Sequence, residues 1–136
     1  MKALAYRTNR ATYAVSLAIF VVVVAILMGT WGKPGPTEVI AAFIVIPRLH
    51  DIGRSGWWYV PLALGSLAAV LVGFQFGGLE GGQIAGGLYV LFALALLALL
   101  ALIPGQPIAN KWGESPDSGI SWKRPKTPEQ KYQEIF

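Results

Sequence analysis

The chain has 136 residues, of which 54% are hydrophobic and only 13% are charged, and its formal net charge is +4. Soluble globular domains carry about 25% charged residues, so this composition favours a membrane protein over a soluble one. The chain contains no cysteine, which excludes disulfide bonds, thiolate metal sites and a cysteine nucleophile.

The first apolar segment, residues 11–31, carries no charged side chain. As a helix it would be about 30 Å long, which matches the hydrocarbon core of a bilayer. Its apolar run exceeds the roughly 7–15 residues that are typical of a signal peptide. We therefore expect a retained transmembrane helix.

The second segment, residues 36–51, is the ambiguous one. Its apolar part, residues 36–47, is short enough to be a re-entrant or interfacial piece. If the helix continues to Asp51, it reaches about 22 Å. Arg48 would then extend its cation to one membrane surface, with Glu38 at the other.

The third and fourth segments, residues 57–76 and 83–103, carry no charge and are long enough to span. The glycine-rich stretch 77–82 would connect them. Small residues at four-residue spacing let helix backbones approach closely and predict a seam between these helices. The small residues are Gly65, Ala69 and Gly73, followed by Gly78, Gly82 and Gly86.

The positions of lysine and arginine decide whether the second segment spans. If all four segments cross, ten of the eleven basic residues lie on one side and only Lys33 lies on the other, which is a strong positive-inside pattern. If the second does not cross, Arg48 and Arg54 change sides and the pattern weakens. We therefore predict an all-α membrane protein, a compact bundle of four transmembrane helices with both termini in the cytoplasm.

The chain divides into two parts. Residues 1–104 are predicted to form the transmembrane domain. Residues 105–136 are predicted to form a polar, proline-rich cytoplasmic tail, whose composition is typical of an extended or partly disordered segment.

Aromatic residues flank the predicted spans. Tyrosine and tryptophan are enriched at both membrane–water interfaces, where one end of the ring is apolar and the other is hydrated. We predict interfacial anchors at Tyr6, Tyr13, Trp31, Trp57, Trp58 and Tyr59.

The connector "RLHDIGRSGWW", residues 48–58, contains the only histidine of the chain. A metal site needs more ligands than this stretch offers. A Ser–His–Asp catalytic triad needs its nucleophile, its base and the acid that orients the base to lie in line. Ser55, His50 and Asp51 are neighbours in one loop, and this placement disfavours such an arrangement. We predict a polar turn that pins two helices, in which Asp51 pairs with Arg48 or Arg54. The alternative is a pocket whose arginines face a phosphate headgroup or a partner.

The same connector resembles the signature of a bacterial inner-membrane family known as domain of unknown function 805. The stretch "YRTNRATY" agrees through Arg7, Arg10 and Tyr13, and "IPGQPIANKWGESP" agrees at the end of the last helix. Four positions depart from the family pattern: Tyr6 and Ile108 replace glycines, Lys111 replaces an arginine, and Trp112 replaces a tyrosine or phenylalanine. The resemblance implies a small polytopic membrane protein and implies no reaction. The matching residues of the last stretch are Pro104, Gly105, Asn110, Gly113 and Pro116.

The three stretches fall on the same predicted side, so we expect them to form one polar cap around Asp51. The expected function is a non-enzymatic scaffold or accessory subunit that binds anionic lipid, other membrane proteins or a second copy. The alternative is a small transporter, channel or lipid-modifying enzyme with its site at His50, Asp51 and Arg54. We predict no catalytic residue, metal, cofactor or nucleic-acid partner. The candidate ligand- or partner-binding residues are Arg7, Arg10, Arg48, His50, Asp51, Arg54, Ser55, Trp57, Trp58, Asn110 and Lys111.

Overall fold

The computed structural model describes residues 6–31 and 36–122. Within these ranges the chain is all-helical and has no β-strand, which confirms the predicted all-α class. Predictions that involve Lys2, Lys33 and the basic residues after Trp122 lie outside the described residues. The elements in chain order are α1 (Arg10–Trp31), α2 (Thr37–Asp51), a 3₁₀ turn (Gly56–Trp58) and α3 (Tyr59–Leu102).

Helix α1 begins at an asparagine cap. The side-chain oxygen of Asn9 accepts a hydrogen bond from the Thr12 N–H at 2.8 Å, and its carbonyl accepts from the Tyr13 N–H at 3.0 Å. An asparagine in this place satisfies backbone donors that the first helical turn leaves free. The uninterrupted apolar run that follows then continues the helix to Trp31.

Helix α2 passes through Pro47 and closes at a glycine. Gly53 has a φ of 79°, a left-handed conformation that glycine adopts without steric cost. The Arg54 N–H donates to the Leu49 carbonyl at 2.8 Å and the Gly53 N–H donates to the His50 carbonyl at 3.1 Å. This pair of bonds is the Schellman motif that commonly terminates helices, so the sequence around Gly53 turns the chain sharply after α2.

Helix α3 is interrupted by two glycines. Gly77 and Gly78 have non-helical backbone angles, and the φ of 60° at Gly78 again requires glycine. The chain folds back at these glycines. The Tyr89 hydroxyl donates to the Leu62 carbonyl at 2.5 Å, which shows that the residues after the turn lie beside those before it. The two arms of α3, residues 59–76 and 79–102, therefore pack antiparallel.

The predicted six-residue connection over residues 77–82 is wrong, since the turn consists of Gly77 and Gly78 and helix resumes at once. Close packing of the arms explains this. A Cβ atom on Gly73 would collide with the Gly81 carbonyl, and one on Gly82 would lie 3.3 Å from the Val70 carbonyl. Glycines therefore allow the two arms to stay in close contact right up to the turn.

Helix α2 is short beside the arms of α3. The Tyr59 hydroxyl donates to the Glu38 carbonyl at 2.8 Å and to its carboxylate at 3.1 Å. Glu38 therefore lies one side-chain length from the start of the first arm, which continues for about 26 Å beyond Tyr59. Glu38 is therefore close to the start of the first arm, and its expected position at the opposite membrane surface stays a prediction.

Two helical stretches are long and apolar enough to cross a membrane, namely Arg10–Trp31 and Gly56–Leu102. Only 11% and 6% of their most apolar windows are buried inside the protein. A core helix of a soluble protein would be mostly buried, so these exposed apolar faces suggest contact with a lipid bilayer. The buried apolar cluster is small and lies at the end of the molecule where α2 ends; it contains Tyr13, Val45, Leu49, Tyr59 and Leu97.

Five of the six predicted aromatic anchors divide into two groups, and the sixth, Tyr6, is half-buried. Trp31, Trp57 and Trp58 are highly exposed, as an interfacial position requires. Tyr13 and Tyr59 are buried, and each donates its hydroxyl hydrogen to a backbone carbonyl of another helix. The prediction of interfacial anchors is therefore wrong for these two tyrosines, because their hydroxyl groups find partners within the protein.

Candidate functional site

Three segments that are distant in sequence meet at one end of the molecule. They are the residues before α1, the end of α2 and the segment that follows α3. We call the cluster at their junction the cap: Arg7, Arg48, His50 and Asp51 are buried in it, and Asn110 and Trp112 are half-buried. Its geometry is set mainly by hydrogen bonds between side chains and backbone carbonyls.

Asp51 is the anion of the cap. Its Oδ1 atom accepts hydrogen bonds from Nε and Nη2 of Arg7 at 3.2 and 3.0 Å. Its Oδ2 atom accepts from Nη1 of Arg48. The three side chains are almost completely buried. Since an unpaired buried charge is costly, each of the three groups depends on the others.

Arg7 uses all of its donors. Beyond Asp51, Nη1 donates to the carbonyls of Ile108 at 2.7 Å and Gly113 at 3.2 Å, and Nη2 donates to the carbonyl of Gln106. A guanidinium group has five N–H donors in a rigid planar arrangement, and all five have acceptors here. Arg7 thus fastens the segment after α3 to the N-terminal segment.

Arg48 closes the end of α3. Its Nε donates to the Leu100 carbonyl at 3.1 Å, and its Nη2 donates to the Ile103 carbonyl. The last carbonyls of a helix lack intrahelical partners and carry partial negative charge, so a cation is favourable in this position. The prediction that Arg48 extends to the membrane surface is wrong, because its side chain is fully buried.

His50 is oriented by stacking. Its ring lies parallel to that of Trp112, with centroids 4.4 Å apart and an interplanar angle of 11°. Its Nδ1 atom lies 3.3 Å from the Tyr6 carbonyl, and its own carbonyl accepts from Nδ2 of Asn110 at 2.9 Å. The Lys111 ammonium lies 4.3 Å from the centroid of the Trp112 ring, a cation–π geometry. These contacts fix the ring as part of the packing of the cap.

The remaining predicted site residues lie outside the buried cluster. Ser55 is half-buried and its Oγ accepts from the Trp57 N–H at 3.4 Å, which caps the 3₁₀ turn. Of the two predicted partners for Asp51, Arg48 pairs with it and Arg54 is exposed. We call the exposed members of the predicted set the outer ring: Arg10, Arg54, Trp57, Trp58 and Lys111.

The first part of the predicted tail is bound to the start of α1. Nδ2 of Asn9 donates to the carbonyls of Asp117 at 2.5 Å and Gly119 at 2.7 Å. The Thr12 hydroxyl donates to the Ser121 carbonyl at 3.2 Å and accepts from the Ser121 N–H at 2.9 Å. This role was not predicted from the sequence, because Asn9 and Thr12 have the spacing of an ordinary helix cap. Up to Trp122 the tail forms neither a helix nor a strand, and it is held against the protein by these hydrogen bonds.

Gly105 marks how closely the segment after α3 approaches Asp51. A Cβ atom in this position would collide with the Asp51 carboxylate. The Gln106 N–H donates to the Asp51 carbonyl at 2.8 Å. The glycine that the family resemblance identified is therefore explained by lack of space beside the carboxylate.

Three observations bear on whether the cap could hold a substrate or a metal ion. A groove of about 90 Å³ reaches Arg7 but is not lined by His50 or Asp51. Every buried side-chain nitrogen and oxygen in the described part of the chain has a hydrogen-bond partner. Among the same residues no group of three or more histidine, aspartate or glutamate side chains is positioned to hold a metal ion. The buried polar groups of the cap are thus satisfied by hydrogen bonds within the described part of the protein.

The family model described as "Protein of unknown function (DUF805)" matches residues 37–114, more than half of the chain. The match covers α2, α3 and the segment that completes the cap, and it confirms the resemblance found in the connector. No curated protein and no solved structure matched the chain in the same comparisons.

Proposed function

The chain belongs to the DUF805 family, and we propose that it is a multi-pass protein of the bacterial inner membrane with a non-enzymatic scaffold or accessory role. In this proposal α1 and both arms of α3 cross the bilayer, and α2 is a shorter fourth helix of the bundle. The cap lies on the cytoplasmic side, as do both termini. Residues 1–104 form the membrane domain and residues 105–136 the polar tail.

The charge distribution supports this orientation. All five basic residues in the described part of the chain lie at the end of the molecule that carries the cap. Glu80 lies beside the turn at the other end of α3. Cytoplasmic loops of membrane proteins carry an excess of lysine and arginine, so the cap end is the better candidate for the cytoplasmic face. The basic residues are Arg7, Arg10, Arg48, Arg54 and Lys111.

The single observation that carries the non-enzymatic role is the hydrogen bonding of the two buried arginines. Arg7 donates only to Asp51 and to backbone carbonyls, and all of its N–H groups are used. Arg48 also donates to Asp51 and to carbonyls at the end of α3. A group that binds a substrate phosphate needs free donors, and these donors have intramolecular acceptors. The buried cap is therefore best suited to hold the helices together.

The outer ring is the surface available to partners. Three cations and two exposed tryptophans surround the cap. Each basic residue close to an anionic leaflet contributes about 1 kcal/mol of attraction, and tryptophan prefers the headgroup level. We propose that the outer ring binds anionic lipid headgroups, and that it is also the surface that contacts other membrane proteins or a second copy of the chain.

The test is lipid binding by the full chain in nanodiscs that contain either phosphatidylglycerol or only phosphatidylcholine. Replacing Arg10, Arg54 and Lys111 together by glutamine is expected to lower the affinity for the anionic lipid by roughly 100-fold, because three contributions of about 1 kcal/mol are lost. Glu80→Gln, at the other end of the molecule, is the control. Equal binding by the triple variant and the unaltered chain would overturn the proposal.

The alternative of a transporter, channel or lipid-modifying enzyme stays a prediction. It would place the site at His50, Asp51 and Arg54, and the groove at this end is not lined by these side chains. His50→Ala is the informative variant, because an enzyme or transporter at the cap would lose activity while the protein stays folded.

A further inference from the structure

A polar stripe at the start of α1 binds the last described part of the tail. The stripe consists of Asn9, Thr12 and Ser16, whose spacing of three and four residues places them on one face of the helix. The helix that follows is mostly apolar, so this stripe is a local exception in its sequence. We call the segment that the stripe binds, residues 117–122, the strap.

The stripe holds the strap mainly through its backbone. Nδ2 of Asn9 donates to the carbonyls of Asp117 and Gly119. The Thr12 hydroxyl accepts from the Ser121 N–H and donates to the Ser121 carbonyl. The backbone groups that contact α1 therefore belong to alternate residues of the strap.

Two large apolar side chains of the strap are exposed. Ile120 is 56% exposed and Trp122 is 68% exposed. The ring nitrogen of Trp122 donates to the Ser16 hydroxyl at 3.4 Å. The groove of about 90 Å³ is lined by Trp122 together with Phe43 of α2, so open space remains beside the ring. The strap thus buries little apolar surface against the helices.

The contacts on α1 are weak for the length of chain that they order. They provide about one hydrogen bond per residue of the strap, and their donors and acceptors are uncharged. Because a bonded group exchanges water for a protein partner, each such bond makes a small net contribution. This contribution is no larger than the conformational entropy that is lost when one residue is fixed. A further contact is needed to keep the strap on α1.

The location of the strap identifies that contact. The strap lies beside the first turns of α1, where this helix enters the bilayer in the proposed function. Tryptophan prefers the headgroup level of a membrane. In the sequence Trp122 is followed by Lys123, Arg124 and Lys126, and basic residues close to an anionic leaflet are attracted to it. An anionic bilayer surface fits the strap in both apolar character and charge.

We propose that the strap is a docking surface for an anionic phospholipid bilayer, and that contact with the bilayer completes its attachment to α1. Ile120 and Trp122 enter the headgroup region while the backbone stays on Asn9 and Thr12. Without anionic lipid the strap leaves α1. The strap adds a lipid contact to that of the outer ring, and the inference rests on the membrane-spanning part of the proposed function.

The test measures amide hydrogen exchange of the full chain in nanodiscs of phosphatidylcholine with or without phosphatidylglycerol. The reporter is the Ser121 N–H, which donates to Thr12, and the reference is the Gln106 N–H, which donates to the Asp51 carbonyl in the cap. Mass spectrometry with electron-transfer fragmentation resolves the two amides. We expect phosphatidylglycerol to slow exchange at Ser121 at least about tenfold and to leave Gln106 unchanged, because exchange reports local opening and the anionic surface attracts the strap.

Two variants remove the bilayer contact and a matched variant keeps it. Ile120→Ser and Trp122→Ala replace the exposed apolar side chains, and each should reduce the effect of phosphatidylglycerol on the Ser121 amide at least about threefold. Ser16→Ala removes the acceptor of the Trp122 ring nitrogen and should keep the response to lipid. Thr12→Val removes the acceptor of the Ser121 N–H and should speed its exchange in both lipids.

The proposal is overturned if exchange at Ser121 is the same in both lipids, or if phosphatidylglycerol slows Gln106 by the same factor, since the effect would then be general. It is also overturned if both variants of the exposed side chains respond as fully as the unaltered chain, or if Thr12→Val leaves the exchange unchanged. The proposed function fails by a different result, which is unchanged lipid affinity of the outer-ring triple variant, whose strap is unaltered.

Discussion

The cap and the hairpin of α3 hold helices together by different interactions. In the cap, two guanidinium groups and one carboxylate are buried and joined by directional hydrogen bonds. Between the arms of α3, glycines such as Gly73 and Gly81 bring backbones into contact. Helices lie close together in both regions. The contacts in the cap depend on the chemistry of its side chains, whereas the contacts in the hairpin depend on the small volume of glycine.

The proposed membrane location of the chain accounts for the difference. Within a bilayer, helices gain little from burying apolar side chains, because lipid tails are equally apolar, so close packing of small residues matters most. Near the aqueous boundary a chain must instead satisfy the free backbone groups at helix ends. Arg48 does this for the last carbonyls of α3. Chemically conservative changes should therefore damage the cap, and small increases in volume should damage the hairpin.

The largest effect is expected from Asp51→Ala. Removing the carboxylate leaves Arg7 and Arg48 buried without an anion, and breaking such a buried pair costs about 3–5 kcal/mol. The midpoint of unfolding in an SDS titration of the purified protein should fall accordingly. Asp117→Ala, which removes an exposed carboxylate, is the control and should leave the midpoint unchanged. A small effect of Asp51→Ala would show that the cap contributes little to stability.

Arg7→Lys tests the chemistry of the cap at constant charge. Lysine has three donors on a single nitrogen and cannot reproduce the planar arrangement that reaches Asp51 and the carbonyls of Gln106 and Ile108. We expect a loss of about 2–3 kcal/mol, as for hydrogen bonds of charged groups, measured by the same titration. Arg10→Lys, at an exposed position, should be nearly neutral. If the two variants behave alike, charge alone explains the role of Arg7.

Gly73→Ala tests volume in the hairpin. The new methyl group would meet the backbone of Gly81, which cannot move aside as a flexible side chain would. Overpacking of this kind costs about 1–3 kcal/mol, and alanine recovers part of this through its better helix propensity. Gly87→Ala is the matched control in the same helix, since nothing lies within 4 Å of its new methyl group. Similar stability of the two variants would contradict close packing of the arms.

Local sequence patterns predicted part of this structure. The uncharged run of residues 11–31 indicated α1, and the glycine after Asp51 indicated a turn. The turn at Gly77 and Gly78 was placed too broadly, because Glu80 and its glycine neighbours are weak helix formers that the packing of the arms nevertheless holds in a helix. The position of Glu38 depends on Tyr59, a contact that no local pattern reveals.

The cap shows the same limit more clearly. The sequence predicted that Asp51 pairs with Arg48 or Arg54, each three residues away, and of these two Arg48 is the partner. It did not distinguish the buried Arg7 from the exposed Arg10, although both belong to the same stretch. The acceptors of Arg7 are the carbonyls of Gln106, Ile108 and Gly113, about 100 residues away, and carbonyl groups leave no signature in a sequence.

The most direct test of the account is a double-mutant cycle between Arg7 and Asp51. The free energies of unfolding of Arg7→Gln, Asp51→Asn and the double variant are measured by SDS titration in the same mixed micelles. Since the two side chains form a buried ion pair, we expect a coupling energy of about 1–3 kcal/mol, with the double variant more stable than the sum of the single effects implies. Additive effects, within about 0.5 kcal/mol, would contradict a cap in which Arg7 and Asp51 stabilise each other.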